Sequence, residues 1–197
     1  MEITASMVKE LRTKSGAGIM ECKSALKESK GNVEEAITFL RKKGLAKAGK
    51  KSDRHTGDGA IGSYIHPGNK IGVMVQLNCE TDFVANTPEF QELLKDICMH
   101  IAAAKSRFIS RENVTQEDLD REREIFAHQA RESGKPDHII EKIVDGKMEK
   151  YYEENCLLDQ RFIKDGDLTI QDLIKQKIAL LGENITVGDF IRFEISK

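Results

Sequence analysis

Apolar side chains recur along this chain at two periods, and the points where one replaces the other divide it. From Thr4 onward, Met7, Val8 and Leu11 fall three and four apart, the spacing of one helix face, and the pattern stops at Ser15-Gly16-Ala17-Gly18. A second helical stretch carries Ile19, Cys22, Ala25 and Leu26 and stops near Gly31. Asn32, followed three residues later by Glu35, has the form of a reciprocal cap. It opens a third helix with Ala36, Ile37, Phe39 and Leu40, expected to end at Gly44. Through 45–58 the apolar period is lost, and Lys47, Lys50, Lys51 and Arg54 stand among small residues. These shifts predict a three-helix docking module at 1–50, a basic linker at 51–58 and an α+β core at 59–197.

Period two begins after Gly59. Ile61, Ser63 and Ile65 alternate up to Pro67-Gly68-Asn69-Lys70, and Ile71, Val73, Val75 and Leu77 alternate after it, so the stretch predicts a β-hairpin. Thr87-Pro88-Glu89 is a helix start, and Phe90, Leu93, Leu94, Ile97, Cys98, Ile101 and Ala102 form an apolar stripe over four turns. Thr115 opens a highly charged helix with only Leu119, Phe126 and Ala130 on its buried side. After the break at Gly134-Lys135-Pro136, Ile139, Ile140, Ile143, Val144, Met148 and Tyr151 mark another helix, with Gly146 as a weak point inside it. Leu157 to Asp165 has no helical period and is expected to be a loop laid on the domain. Thr169 to Asp172 caps a last helix with Leu173, Ile174, Ile178 and Leu181, stopped at Gly182. In the closing strand Ile191, Phe193 and Ile195 alternate with Arg192 and Glu194. The expected fold is therefore α+β: a three-helix module, then a three-stranded antiparallel sheet with helices on one face and the other face bare unless something covers it.

Charge changes this picture little. Of 197 residues, 31 are Lys or Arg and 33 are Asp or Glu, for a net charge of -2, so bulk attraction to nucleic acid is not expected. Cys22, Cys79, Cys98 and Cys156 lie far apart, which suggests neither a disulfide framework nor a zinc site. With an acid at Glu2 and no long apolar run, neither export nor a membrane anchor is expected, and a reducing cytosol is the natural setting. Glycine-rich phosphate loops, nucleophile elbows and paired zinc histidines are missing. Gly57-Asp58-Gly59-Ala60-Ile61-Gly62 has a dinucleotide-loop spacing, but it precedes a strand instead of leading from one into a helix. The five histidines, His55, His66, His100, His128 and His138, fall on different elements. Neither a catalytic set, nor a metal, nor a cofactor is expected.

One stretch remains, Leu77-Asn78-Cys79-Glu80-Thr81-Asp82-Phe83-Val84-Ala85-Asn86, the short connection between the hairpin and its following helix. A strand-to-helix turn can hold a side chain out to a partner, and Phe83 with Asp82 is placed for that. The alternative is that Phe83 folds back into its own core while Asp82 only caps a helix.

Resemblance carries the reading further. Glu2-Ile3-Thr4-Ala5-Ser6, Thr13-Lys14-Ser15-Gly16-Ala17-Gly18-Ile19-Met20-Glu21-Cys22-Lys23 and above all Asn78-Cys79-Glu80-Thr81-Asp82-Phe83-Val84-Ala85 closely resemble bacterial translation elongation factor Ts. The likeness continues through Met99-His100-Ile101-Ala102-Ala103, Ser133-Gly134-Lys135-Pro136, Glu141 to Met148 and Ile191-Arg192-Phe193-Glu194, covering nearly the whole chain. It implies a cytoplasmic guanine nucleotide exchange factor that binds elongation factor Tu·GDP, displaces Mg²⁺ and releases GDP without covalent chemistry. It also implies that Phe83 is the wedge, that Asp82 supports it by hydrogen bonding, and that Thr81 and Val84 complete the motif.

By the same likeness the N-terminal module resembles the ubiquitin-associated three-helix fold. Lys23, Lys51, His66, Leu181, Gly182 and the Phe162-Ile163-Lys164 stretch become secondary partner contacts. Longer members have two related sheet halves and a coiled-coil insertion, whereas this chain shows one hairpin and one closing strand. Short relatives pair two chains sheet to sheet, so a noncovalent homodimer and a two-to-two complex are expected, with no direct contact to nucleic acid or membrane. Two competing classes stay open: a binding adaptor or holdase without exchange activity, and an enzyme using Cys79 or Cys98 with a histidine.

Overall fold

Three helices, α1 (Ala5–Ser15), α2 (Ile19–Glu28) and α3 (Val33–Gly49), open the computed structural model, which describes residues 3–134 and 136–195. Glu2 and Lys135 of the strings quoted above, and the side chain of Lys47, lie outside the described residues. The remaining α-helices and strands are β1 (Asp58–Ile65), β2 (Ile71–Cys79), α4 (Asp82–Ala85), α5 (Pro88–Ala104), α6 (Gln116–Glu132), α7 (Asp137–Asn155), β3 (Arg161–Phe162), β4 (Asp165–Thr169), α8 (Ile170–Leu181) and β5 (Ile185–Glu194). The architecture is α+β, with an antiparallel sheet in the order β1-β2-β5. The N–H of Ile195 donates to the carbonyl of Lys70 at 2.8 Å, which sets the end of β5 beside the start of β2.

The chain forms two compact units. One comprises residues 1–59, 78–93 and 174–186. Within it α1, α2 and α3 close on Leu11, Cys22, Ala25, Leu26 and Ala36, the positions that the helical period singled out. Thr4 and Asn32 cap α1 and α3 through their side-chain oxygens, and Gly16 ends α1 in the left-handed region at φ 66°. Two expectations fail here. Ile19 does not join the buried stripe of α2; it stands exposed in the helix's first turn. Nor does α3 stop at Gly44. It runs on to Gly49, and a Cβ on Gly44 would come within 3.1 Å of the Ala179 methyl on α8. That glycine serves a close helix–helix approach, not a helix end.

The other unit comprises residues 60–77, 94–173 and 187–197. Val73, Val75 and Leu77 of β2 are buried, and the inner face of the sheet meets α5. A Cβ on Gly62 of β1 would fall 2.5 Å from Leu94 Cγ, so only glycine allows strand and helix this close. On β5, the Arg192 guanidinium donates to the Ala102 carbonyl at 3.2 and 3.3 Å and thereby ends α5. The outer face carries Ile61, Ile65, Met74, Ile191, Phe193 and Ile195, all exposed, with Ile61 at 70% and Phe193 at 65%.

A separate core joins α6 and α7 through Val114, Ala130, Ile140, Val144, Met148 and Tyr151. The expected loop from Leu157 to Asp165 is instead a short 3-10 turn at Leu157–Asp159 followed by the hairpin β3–β4. A two-residue strand with an irregular register leaves no alternation to detect.

Candidate functional site

Thr81 has extended backbone at φ -137° and ψ 156°, the conformation of a helix cap, and its hydroxyl oxygen accepts from the Val84 N–H at 3.4 Å. Thr81, not Asp82, is thus the cap, and Asp82, Phe83 and Val84 lie on the single turn of α4. The turn is tied down at both ends. The Thr87 hydroxyl donates to the Val84 carbonyl at 2.8 Å and accepts from the Phe90 N–H, joining α4 to α5. Gln91 Nε2 donates to the Ala85 carbonyl and Asn86 Nδ2 to the Asp82 carbonyl, each at 2.8 Å. Beneath the turn Ala85 is buried, while the Phe83 ring points away and is 82% exposed. Asp82 is exposed beside it.

Behind the turn, three segments distant in sequence are joined. The Glu183 carboxylate accepts from the Thr81 hydroxyl at 2.7 Å and from the Thr81 N–H at 3.0 Å. Glu80 accepts from the Asn184 N–H at 2.7 Å, and the Asn184 side-chain amide donates to the carbonyls of Ser52 and Arg54 at 3.1 and 2.9 Å. The Lys51 ammonium donates to the carbonyl of Gly182, whose φ of 84° ends α8 in the left-handed region. Sequence reasoning placed Lys51, Leu181 and Gly182 among the secondary contacts, and the first and last of these meet directly. It missed Glu80, Glu183 and Asn184. The only available signal was a carboxylate and an amide standing directly after the glycine that stops α8.

The remaining candidates are elsewhere. Lys23 is exposed on α2, next to exposed Ile19 and Met20. In the second unit, exposed His66 meets the Tyr64 hydroxyl at 3.1 Å. Ile163 is exposed at the tip of β3–β4, and Lys164 is engaged with the mostly buried Asp96 at 2.7 Å.

The thiols suit no nucleophilic role. All four are buried, and desolvation pushes Cys79 up and Cys98 up to about 11, so both are protonated at neutral pH. Among the described residues no group of three or more His, Cys, Asp or Glu could hold a metal ion, and no helix is long and apolar enough to cross a membrane.

Comparison with known sequences agrees on one family. The profile described as Elongation factor TS matches residues 2–197. Elongation factor Ts of Thermosipho melanesiensis is 54% identical over 195 residues, 99% of this chain and 100% of that protein. The Fervidobacterium nodosum protein of the same name is 54% identical over 197 residues, 100% of each chain. That of Geobacter metallireducens is 52% identical over 197 residues, 100% of this chain and 91% of its own.

Proposed function

The chain belongs to the elongation factor Ts family of translation elongation factors, and from that premise we propose that it is a guanine nucleotide exchange factor for elongation factor Tu. It binds the GDP-bound partner and drives out the nucleotide by holding the emptied state better than the filled one. Such coupling is reciprocal, and it must reach several kcal/mol to shift populations substantially, about 5.5 kcal/mol for a swing from 1:99 to 99:1. No bond is made or broken. Phe83 enters the partner's nucleotide-binding domain and disturbs the groups that order Mg²⁺, which weakens the hold on the diphosphate. Asp82 steadies the inserted ring by hydrogen bonding, and Thr81 and Val84 set the turn. The α1–α3 module docks through the face carrying Lys23.

One observation carries this reading. A large aromatic ring, 82% exposed, stands on a turn whose backbone is pinned to its surroundings. A solvated ring on a rigid support loses little conformational entropy on insertion, so its burial energy goes to the partner. Lone exposed aromatics are common on surfaces, and what sets this one apart is the bracing of its turn by Thr87 and Gln91.

The bare sheet face supports a noncovalent homodimer, working as a two-to-two complex in the cytosol. Release of a fluorescent GDP from elongation factor Tu tests the function. The wild type should speed release by orders of magnitude, and Phe83→Ala should abolish most of that gain with an unchanged melting temperature. A binding adaptor or holdase would bind and leave the release rate as it was. Loss of fold in Phe83→Ala would show that the ring belongs to the core.

A further inference from the structure

Glu183 lies 102 residues from Thr81 in sequence, yet both of its carboxylate oxygens are spent on that one residue. We propose that Glu183 is the positioning residue of the exchange tip, holding the Thr81 cap so that α4 presents Phe83 in one orientation; this rests on the function proposed above. A hydroxyl has one proton to give. Thr81 donates it to Glu183 at 2.7 Å, which turns an oxygen lone pair toward the Val84 N–H. Without that acceptor the hydroxyl is free to rotate away from the helix it caps.

A single helical turn has no stability of its own, since nucleation costs more than one turn returns. What keeps α4 formed is therefore the set of side chains that clamp it. On the α5 side these are Thr87 and Gln91, Asn86 ties the Asp82 carbonyl, and at the N-terminal end Cys79 Sγ donates to the Thr81 carbonyl while Glu183 takes the Thr81 N–H and hydroxyl that form the cap. Glu183 is itself fixed from both neighbours: Gly182 through its carbonyl to Lys51, and Asn184 through Glu80, Ser52 and Arg54. The anchor is stiff, so its removal should loosen the tip and leave the three-helix core intact.

The test measures fluorescent-GDP release from elongation factor Tu with Glu183→Ala and Glu183→Gln, each alone and combined with Phe83→Ala. Charge-assisted hydrogen bonds are about twice as strong as neutral ones, so Glu183→Ala should lower the rate at saturating factor by about tenfold while moving the half-saturating concentration by less than about threefold. Gln keeps one acceptor oxygen and should fall between Ala and the wild type. Because Glu183 acts through the ring, its loss should add less than about twofold once Phe83 is already Ala. Amide hydrogen exchange on the free protein should quicken from Thr81 to Ala85 in Glu183→Ala and stay unchanged in α1–α3.

Glu183 is refuted if the wild type accelerates release and Glu183→Ala does so equally. It is also refuted if its defect multiplies with that of Phe83→Ala, or if the quickened exchange extends through α1–α3. A wild type that leaves release unchanged refutes the function itself, whatever Glu183 does. Unaltered exchange at Thr81 and Val84 in Glu183→Ala refutes the clamp without reference to any partner.

Discussion

Phe83 and His100 are opposite cases of a residue displaced from its usual place. The aromatic ring is in water, while the imidazole is fully buried. His100 Nε2 lies 3.0 Å from Gln160 Oε1, which also accepts from the Ser106 hydroxyl, so Nε2 carries the proton. Nδ1 is buried with no hydrogen-bond partner among the described residues. Desolvation lowers the imidazole below its ordinary value, opposed by the bond to Gln160. The folded state thus resists protonation, and as pH falls below about 6.5 the unfolded chain takes up the proton first. Stability supplied by neutral His100 is complete above that pH and lost below it. Urea unfolding at pH 7.5 and 5.5 should show a steeper loss for the wild type than for His100→Gln, by at most about 1.4 kcal/mol per pH unit. Equal slopes would mean that the ring is not held neutral. At this scale the sequence was legible where a residue's chemistry is local. The exposed turn that carries Asp82 and Phe83 could be read from one string, whereas the contact of Glu183 with Thr81 could not, because the two are 102 positions apart.

Among the elements, the helices were readable because their apolar stripes span several turns, and β1, β2 and β5 because strands of eight to ten residues leave room for a stretch of apolar alternation to show. What escaped was short or set by close approach: the hairpin β3–β4, the one-turn α4, and the continuation of α3 through Gly44. Glycine alone does not tell a helix end from a contact. Gly44 is backed by Ala179, Gly62 by Leu94, and Gly146 of α7 by nothing within 4 Å. Their substitutions should therefore diverge. Gly146→Ala relieves a helix interior and should stabilise by about 0.5–1 kcal/mol in chemical denaturation. Gly62→Ala places a methyl where Leu94 already sits and should cost about 1–3 kcal/mol. A neutral Gly62→Ala would show that β1 and α5 can separate freely.

Across the whole molecule, the outer sheet face is the feature that a lone chain leaves unexplained. Ile61, Ile65, Met74, Ile191, Phe193 and Ile195 offer a contiguous apolar surface of the kind that marks an interface. If two copies pair there, Phe193→Asp should shift the sedimentation coefficient at micromolar concentration from a dimer to a monomer, without loss of secondary structure. A wild type that sediments as a monomer would exclude the pairing. Antiparallel alternation made the bare face foreseeable, but its extent was not, because the side that helices cover is decided by contacts such as that of Gly62 with Leu94.

The stitch between residues 51–54, 80–81 and 182–184 also orders events in time. A ribosome adds α1–α3 and the hairpin more than 100 residues before Glu183 and Asn184, which lie 102 and 104 positions beyond Thr81 and Glu80. A nascent chain therefore has the residues of its three-helix core well before it has those that brace α4, so the turn under Phe83 is the later of the two to be secured.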